Sequence, residues 1–465
     1  MKQAQLNVKS PFSGDVLASL PTANSGDVEQ SLATAYGLFR SRNNWLSLAK
    51  RIEILQKTAE IMDERAEELA LQAAQEGGKP LIDSRIEVTR AIDGIHCCIE
   101  SLRSDQGEVI PMNVNSASAG RLAMTTKEPI GVVVAVSAFN HPLNLIVHQV
   151  APAVAAGCPV IVKPSQDTPL SCLSFVKILH EAGLPEPWCQ VLIIDDRANA
   201  EQLVTDHRVG FFSFIGSAGV GWMLHSKLAP GVRCVLEHGG VAPVLVLEDA
   251  NLEKAVPLLT KGGFYHAGQV CVSVQRVFAQ QNIARELAER LAEAANKLKV
   301  GDPTKEDTEV GPLIRLAERE RVGNWVQEAI DKGASSLSGA RALDNSCYQP
   351  TVLYDAPLDC KVSRQEIFGP VISVYPYENI DAAVNQANGL DSAFQSAVFT
   401  QDIDQAISLY RKLDASAVMI NDHTAFRTDW MPFAGLRQSG LGVGGIPHTL
   451  KEMQIDKMLV LNIGN

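Results

Sequence analysis

A thiol, a carboxylate, a primary amide, a lysine and a glycine turn stand at strand-end-like positions in this 465-residue sequence. Cys271 lies in "GGFYHAGQVCVSVQR" (262–276), among small, polar and β-branched neighbours after a glycine-rich approach. A thiol nucleophile needs a base, a donor for the developing oxyanion and a cradle for a second reactant. Glu237 in "VLEHGG" offers a carboxylate where an apolar run meets two glycines. Asn140 in "VSAFNHPLN" offers an amide donor after another apolar run. Lys163 in "VIVKPS" closes a third, and strand ends of open α/β sheets face the ligand crevice. In "FIGSAGVG" (214–221) an apolar run, a glycine turn and a helix start could receive a pyrophosphate, although this is not the G-x-G-x-x-G fingerprint. Each feature alone has a plainer reading: a surface carboxylate, a turn asparagine before proline, a solvated lysine, one quiet thiol among nine.

The elements that must position these groups are α/β. "IGVVVAVSAF", "CPVIVK", "RVGFFSFIG", "CVLEHGG" and "APVLVLED" are short apolar runs bounded by Gly or Pro, suited to parallel strands buried on both faces. Helical stretches such as "LSCLSFVKILHEAG" separate several of them. Residues 46–76 carry Ile52, Leu55, Ala59, Met62, Ala66 and Leu69 at three- and four-residue spacings, which predicts one long amphipathic helix ended by Gly77-Gly78 and Pro80. A second α/β unit follows from about 252. A site between the two units is expected.

The length implies two or more subdomains. A net charge of -12 argues against nucleic acid or an anionic membrane surface as a partner. No run of 18 apolar residues and no apolar leader core appear, which places the chain in the cytoplasm as an expectation. The cysteines are scattered, without C-x-x-C or Cys/His metal spacing, so reduced thiols and no metal are expected.

In order and spacing these segments resemble the aldehyde dehydrogenase superfamily, over nearly the whole chain. The most specific matches are "LEHGG" followed 34 positions later by the cysteine of "GQVC", "EIFGPV" at 366–371 and "MPFAGLRQSGLG" at 431–442. The resemblance implies an aldehyde dehydrogenase fold: a Rossmann-like NAD(P)-binding domain (1–108 and 129–240), an α/β catalytic domain (241–439) and a bridging β-arm (109–128 and 440–465). That arm builds homodimers or homotetramers in the family. It also implies Cys271 as nucleophile, Asn140 with the Cys271 N–H as oxyanion hole, and Glu237 as the base that activates water. NAD or NADP would be held by Phe139, Lys163, Ser165, Gln166, Gly216, Ser217, Glu366 and Phe368.

Departures from the family pattern are informative. Gln166 stands where many members have a glutamate that favours NAD; a neutral amide does not repel a 2′-phosphate, so use of both cofactors, or a lean toward NADP, is expected. Gln149 and "SGLGVGG" replace the groups of a proton relay behind the base. For the substrate, Arg90, His141, His148 and Arg427 suit a small aldehyde bearing a carboxylate, phosphonate or sulfonate. "FNHPLN" and "NDHTAFR" look similar to the phosphonoacetaldehyde and small-aldehyde branch. Val270, where phosphoryl-handling relatives place arginine, puts a purely phosphoryl substrate in doubt. Tyr265, Val270, Val272 and Phe426 could equally form an apolar funnel for uncharged aliphatic or aromatic aldehydes. Two further enzyme readings are a CoA-acylating dehydrogenase, against which Glu237 speaks, and a thiol hydrolase pairing Cys271 with His266. An oligomeric binding protein with a decayed site is disfavoured by the complete set of candidate residues.

Overall fold

The computed structural model describes residues 4–105 and 107–464; the first three residues, Gln106 and the terminal Asn465 of the expected arm lie outside the described residues. A six-stranded sheet runs in the order Gly440–Leu441, Arg233–Glu237, Val209–Ile215, Val132–Val136, Val160–Lys163, Cys189–Val191. The last five are parallel to one another. The run Val132–Val136 is wholly buried, as a central parallel strand covered on both faces must be. Val133 and Ala135 join a core with Leu55, Val147 and Ile95 from the helices on one face. Val132, Val134 and Val136 join Val28, Leu32 and Leu203 on the other. Chain order runs outward from Val132–Val136 to one side and then to the other. The crevice beyond the carboxyl ends of Val132–Val136 and Val209–Ile215 is therefore the topological switch point, where ligands bind in open sheets.

The expected single helix over 46–76 is two helices, Leu48–Glu64 and Ala66–Gly77, with a break at Arg65 (φ -110°, ψ 18°). Both bury one continuous stripe, including Leu55, Met62 and Leu69, so apolar spacing alone does not reveal the break. Arg65 is bound instead to Glu181 at 2.7 Å. Gly78 ends the second helix at φ 70°, and a Cβ there would meet Pro312 Cγ at 2.7 Å.

A seven-stranded sheet forms the second unit, in the order Ser335–Ser338, Thr351–Tyr354, Val371–Tyr377, Arg276–Gln280, Pro243–Val246, Gln395–Phe399, Ala417–Ile420. Its core is filled by residues such as Val244, Phe278, Val374, Leu287 and Leu291. The 440–465 segment, expected wholly in the arm, is divided. Gly440 and Leu441 pair with Glu237 and Leu236, which brings the "SGLG" turn beside that carboxylate. Helix Ile446–Glu452 follows, its Ile446 and Leu450 buried in the same core as Ile95 and Val147. Gln454–Asn462 then pairs antiparallel with Arg121–Pro129, and Val109–Ile110 adds a third short strand. On this ribbon Met458, Leu459, Val460 and Leu461 are all exposed. Among the described residues no helix is long and apolar enough to cross a membrane.

Candidate active site

One cavity of about 580 Å³ opens where the two sheets face each other. Asn140, Gly216 and Glu237 reach it from the carboxyl ends of parallel strands in one sheet. Cys271 and Glu366 reach it from the segments that lead into Arg276–Gln280 and Val371–Tyr377 of the other. Phe139, Ser165, Ser217 and Phe368 also line it, as do Arg90, His141, Tyr265, Val270, Val272 and Arg427.

Backbone geometry dictates where the thiol stands. His266, Ala267 and Gly268 are all left-handed (φ 50°, 53° and 67°), a conformation that costs roughly 1 kcal/mol or more for a residue with a Cβ. A Cβ at 268 would lie 2.2 Å from the Gly369 carbonyl, so glycine is required there. Gln269 pins the turn: its side chain donates to the Pro312 carbonyl at 3.2 Å and accepts from the Ile314 N–H at 2.9 Å. Asn140 Nδ2 donates to the Gln269 carbonyl at 2.9 Å. This bond uses one amide hydrogen, fixes the amide plane and leaves the second hydrogen for a ligand. The nucleophile loop and the amide are thus held to each other.

Of the ionisable groups that line the cavity, Glu366, Arg427 and Glu237 act on Cys271. Burial pushes the thiol up to about 12, the Glu366 carboxylate adds to this, and Arg427 opposes it. Burial also raises Glu237, against the pull of Arg427. Glu366 is pushed up to about 8, again by burial. Its Oε1 is buried without a hydrogen-bond partner, and a Cβ at Gly239 would lie 1.8 Å from that oxygen, so backbone and carboxyl approach as only glycine allows. An orphaned acceptor on the cavity wall suits a ligand hydroxyl. Ser217 precedes the helix Ala218–His225 with its hydroxyl unused in capping, and Gly216 N–H is spent on the Glu237 carbonyl at 3.0 Å. Phe139 and Phe368 meet edge to face at 5.7 Å. These residues fit a dinucleotide with ribose hydroxyls.

The two arginines differ. Arg90 is bound through Nε and Nη2 to Asp429, at 3.1 and 2.8 Å. Asp429 is buried, and although burial opposes its ionisation, His148 and Arg90 hold its carboxyl well below the usual range. Arg427 lies flat over Phe433, its guanidinium carbon 3.5 Å from the ring centroid, a cation–π contact. Its Nη2 is 3.4 Å from His148 Nδ1, and its Nε is buried without a partner. Among the described residues Arg427 makes no ion pair with a carboxylate.

Four residues expected at the site do not line the cavity. Lys163 turns its ammonium to the Pro164 carbonyl at 3.3 Å, and the exposed Gln166 donates to the Ile194 carbonyl at 3.1 Å. His148 is buried behind the wall, 2.7 Å from Asp429, where burial brings it down to about 4. Phe426 is 43% exposed; the apolar position is filled by Phe433, which packs on Phe394 with centroids 4.4 Å apart. His266, the thiol-hydrolase candidate, is also off the cavity wall. Gln149, in place of a relay lysine, is structural: it donates to Val136 and Ser213 carbonyls and to Ser213 Oγ, tying two strands together. Sequence reading passed over Asp429, Phe433 and the buried pair Lys79–Glu87. Asp429 and Phe433 lie within "NDHTAFRTDWMPF" and could have been weighed with Arg427.

The aldehyde dehydrogenase family profile matches residues 1–459. The chain is 38% identical over 461 residues to 3-sulfolactaldehyde dehydrogenase of Priestia aryabhattai, covering 99% of this chain and 95% of that one. It superposes with a TM-score of 0.95 and 34% identity on aldehyde dehydrogenase 21 of Physcomitrella patens, solved with the reaction product succinate, covering 100% of this chain and 96% of that one. It also superposes on the glyceraldehyde-3-phosphate dehydrogenase of Methanocaldococcus jannaschii, solved with NADP, with a TM-score of 0.94, 34% identity, and 99% and 100% coverage. With the profile matched over nearly its whole length and its α/β architecture superposing throughout on these structures, the chain belongs to the aldehyde dehydrogenase family.

Proposed function

We propose that this protein oxidises small aldehydes bearing an anionic group, sulfonates and carboxylates foremost, to the carboxylic acids with NAD or NADP. What carries the reading is one cavity that joins Cys271, Asn140 and Glu237 to an arginine, Arg427, that makes no ion pair among the described residues. The Cys271 thiolate adds to the aldehyde carbon, and the oxyanion accepts from the free hydrogen of the Asn140 amide and from the Cys271 N–H. The thiohemiacetal carbon becomes a thioester carbon on loss of hydride. NAD or NADP, held by Ser165, Gly216, Ser217, Glu366 and Phe368, supplies the hydride acceptor when bound. Glu237 then takes a proton from water, whose oxygen attacks the thioester carbon. The carbon–sulfur bond breaks, and acid and thiolate separate. Burial raises the proton affinity of Glu237, which strengthens it as a base.

The relative named for 3-sulfolactaldehyde and the structure solved with succinate support an anionic substrate. The exposed apolar residues of the Gln454–Asn462 ribbon support pairing of copies into a homodimer or homotetramer. A cytoplasmic setting accords with a reduced catalytic thiol. The test is reduction of NAD or NADP, read by absorbance, with sulfolactaldehyde, succinate semialdehyde, lactaldehyde and benzaldehyde. Wild type should show activity with the anionic members and form free acid without CoA, and Cys271→Ala should show none. Failure of wild type with every aldehyde, or acid formation only with CoA present, overturns the reading.

A further inference from the structure

We infer that the Tyr265 hydroxyl is a fixed hydrogen-bond donor into the cavity that selects aldehydes carrying an oxygen acceptor on the carbon next to the carbonyl, that is, 2-hydroxyaldehydes. The inference rests on the proposed function and deepens it. Its basis is a chain of groups, buried at its Lys79–Glu87 end, whose donor and acceptor roles follow from the lysine. Lys79 and Glu87 have side chains only 2% and 1% exposed and meet at 2.9 Å. Glu87 Oε1 accepts from the Leu143 and Asn144 N–H groups, each at 2.9 Å, where the helix Asn144–Ala156 begins. The carboxylate thus accepts from two backbone N–H groups and from the Lys79 ammonium, with which it forms an ion pair.

Lys79 Nζ also lies 2.6 Å from His141 Nδ1. An ammonium donates and cannot accept, so Nδ1 is the acceptor. The imidazole proton is then on Nε2, which lies 3.2 Å from the Tyr265 hydroxyl oxygen. His141 donates and Tyr265 accepts. A phenol has one hydrogen, and it cannot point back at a donor. The ring lies on the cavity wall with Val270 and Cys271, so that hydrogen is available to a ligand. Burial and the charge of Lys79 keep His141 from taking a second proton, and burial opposes ionisation of the phenol. His141 and Tyr265 are thereby both held in their neutral forms.

The remaining groups decide what the hydrogen meets. The aldehyde oxygen goes to Asn140 and the Cys271 N–H, and an anionic end goes to Arg427. On a three-carbon aldehyde the atom left is the substituent on the middle carbon. A hydroxyl there accepts from Tyr265, and its absence leaves the phenol unpaired, the circumstance in which polar sites discriminate best. Tyr265 and His141, expected as funnel wall and anion contact, thus form one reading device.

The test compares kcat/KM for lactaldehyde and propanal, two uncharged aldehydes that differ in that hydroxyl, with wild type and Tyr265→Phe. Any loss common to both substrates cancels in the ratio. The wild-type preference for lactaldehyde should fall about ten-fold in Tyr265→Phe. A ratio within two-fold of wild type overturns the inference. Independently, ¹⁵N NMR of histidine-labelled protein, assigned with His141→Gln, should show His141 neutral with its proton on Nε2 between pH 6 and 9. A proton on Nδ1 also overturns it. If wild type oxidises no aldehyde, the proposed function fails, whereas the tautomer measurement still reads the chain itself.

Discussion

Replacing Arg427 by glutamine tests which positive charge receives the substrate anion. Arg427 lies on the cavity wall over Phe433 and has no carboxylate partner among the described residues, whereas Arg90 is already matched bidentately by Asp429. An ion pair at roughly 4 Å with an effective dielectric near 20 gives about 4 kcal/mol. Desolvation of both ions returns part of this, leaving about 2–3 kcal/mol. That corresponds to a roughly 30- to 150-fold loss in kcat/KM. Arg427 also favours ionisation of Cys271 and Glu237, so its loss slows every substrate. The decisive quantity is therefore the ratio of kcat/KM for sulfolactaldehyde to that for lactaldehyde, which share a hydroxyl and differ in the anion. It should fall by the stated factor in Arg427→Gln and recover in part in Arg427→Lys, which keeps the charge but not the flat stack on Phe433. Arg90→Gln should move the ratio less than five-fold by the same reasoning, because that charge is already neutralised. A ratio within three-fold of wild type in Arg427→Gln refutes the assignment.

Alkylation of Cys271 by iodoacetamide should accelerate about ten-fold per pH unit from 7 to 10, since a thiol pushed up to about 12 gains thiolate throughout that range; a plateau near pH 8.5 contradicts it. Glu237→Gln should keep a single-turnover burst of reduced cofactor and lose steady-state turnover by about 10²–10⁴, with acylated Cys271 detectable by mass spectrometry. Asp429→Asn should cost about 3–5 kcal/mol of stability by leaving Arg90 unmatched, read as a lowered Tm. In wild type the Tm should fall as pH drops from about 6.5 to 4. The unfolded chain protonates His148 in that window while the folded protein resists until about 4; below it, stability held by the depressed Asp429 carboxyl is lost as well.

Strand-level reading succeeded where the physics is local. A five-residue valine-rich run buried on both faces declares its environment, and a glycine after a strand, Gly216 beyond Val209–Ile215 or Gly239 beyond Arg233–Glu237, announces close backbone approach. Cys271, Asn140 and Glu237 each follow or precede such a run, but as catalytic candidates they were legible only together, through the resemblance carried by "LEHGG", "GQVC" and "EIFGPV". The failures involve partners distant in sequence. Nothing local in "GGKP" says that Lys79 is buried against Glu87, or that its ammonium dictates the tautomer of a histidine 62 positions away. Lys163 and Gln166 were placed at the ligand by their strand-end position, but their side chains are held by carbonyls of Pro164 and Ile194. Phe426 and Phe433 both sit in one loop, and only the fold decides that the second, stacked on Phe394, fills the pocket.

That loop also settles how the cavity can present a cation without an arginine beside the nucleophile. Asp429 takes Arg90, His148 and Asn144 as partners and is thereby used up, two residues from Arg427. His148 donates from Nε2 to Asp429, so its Nδ1 is an acceptor and faces Arg427 without adding charge. Phe433 supplies a face that holds the guanidinium without an ion pair, so that its field still reaches Cys271 and Glu237. A carboxylate in place of that ring would hold Arg427 equally well and cancel the field it exerts on Cys271 and Glu237. A charge at position 427 can act on the substrate anion, the thiol and the base together; an arginine at 270, next to the thiol, would act first on Cys271. On the proposed reading, occupation of the anion site is coupled to the chemistry: an anion bound at Arg427 would neutralise it and raise the proton affinity of Glu237, the direction that suits a base awaiting water.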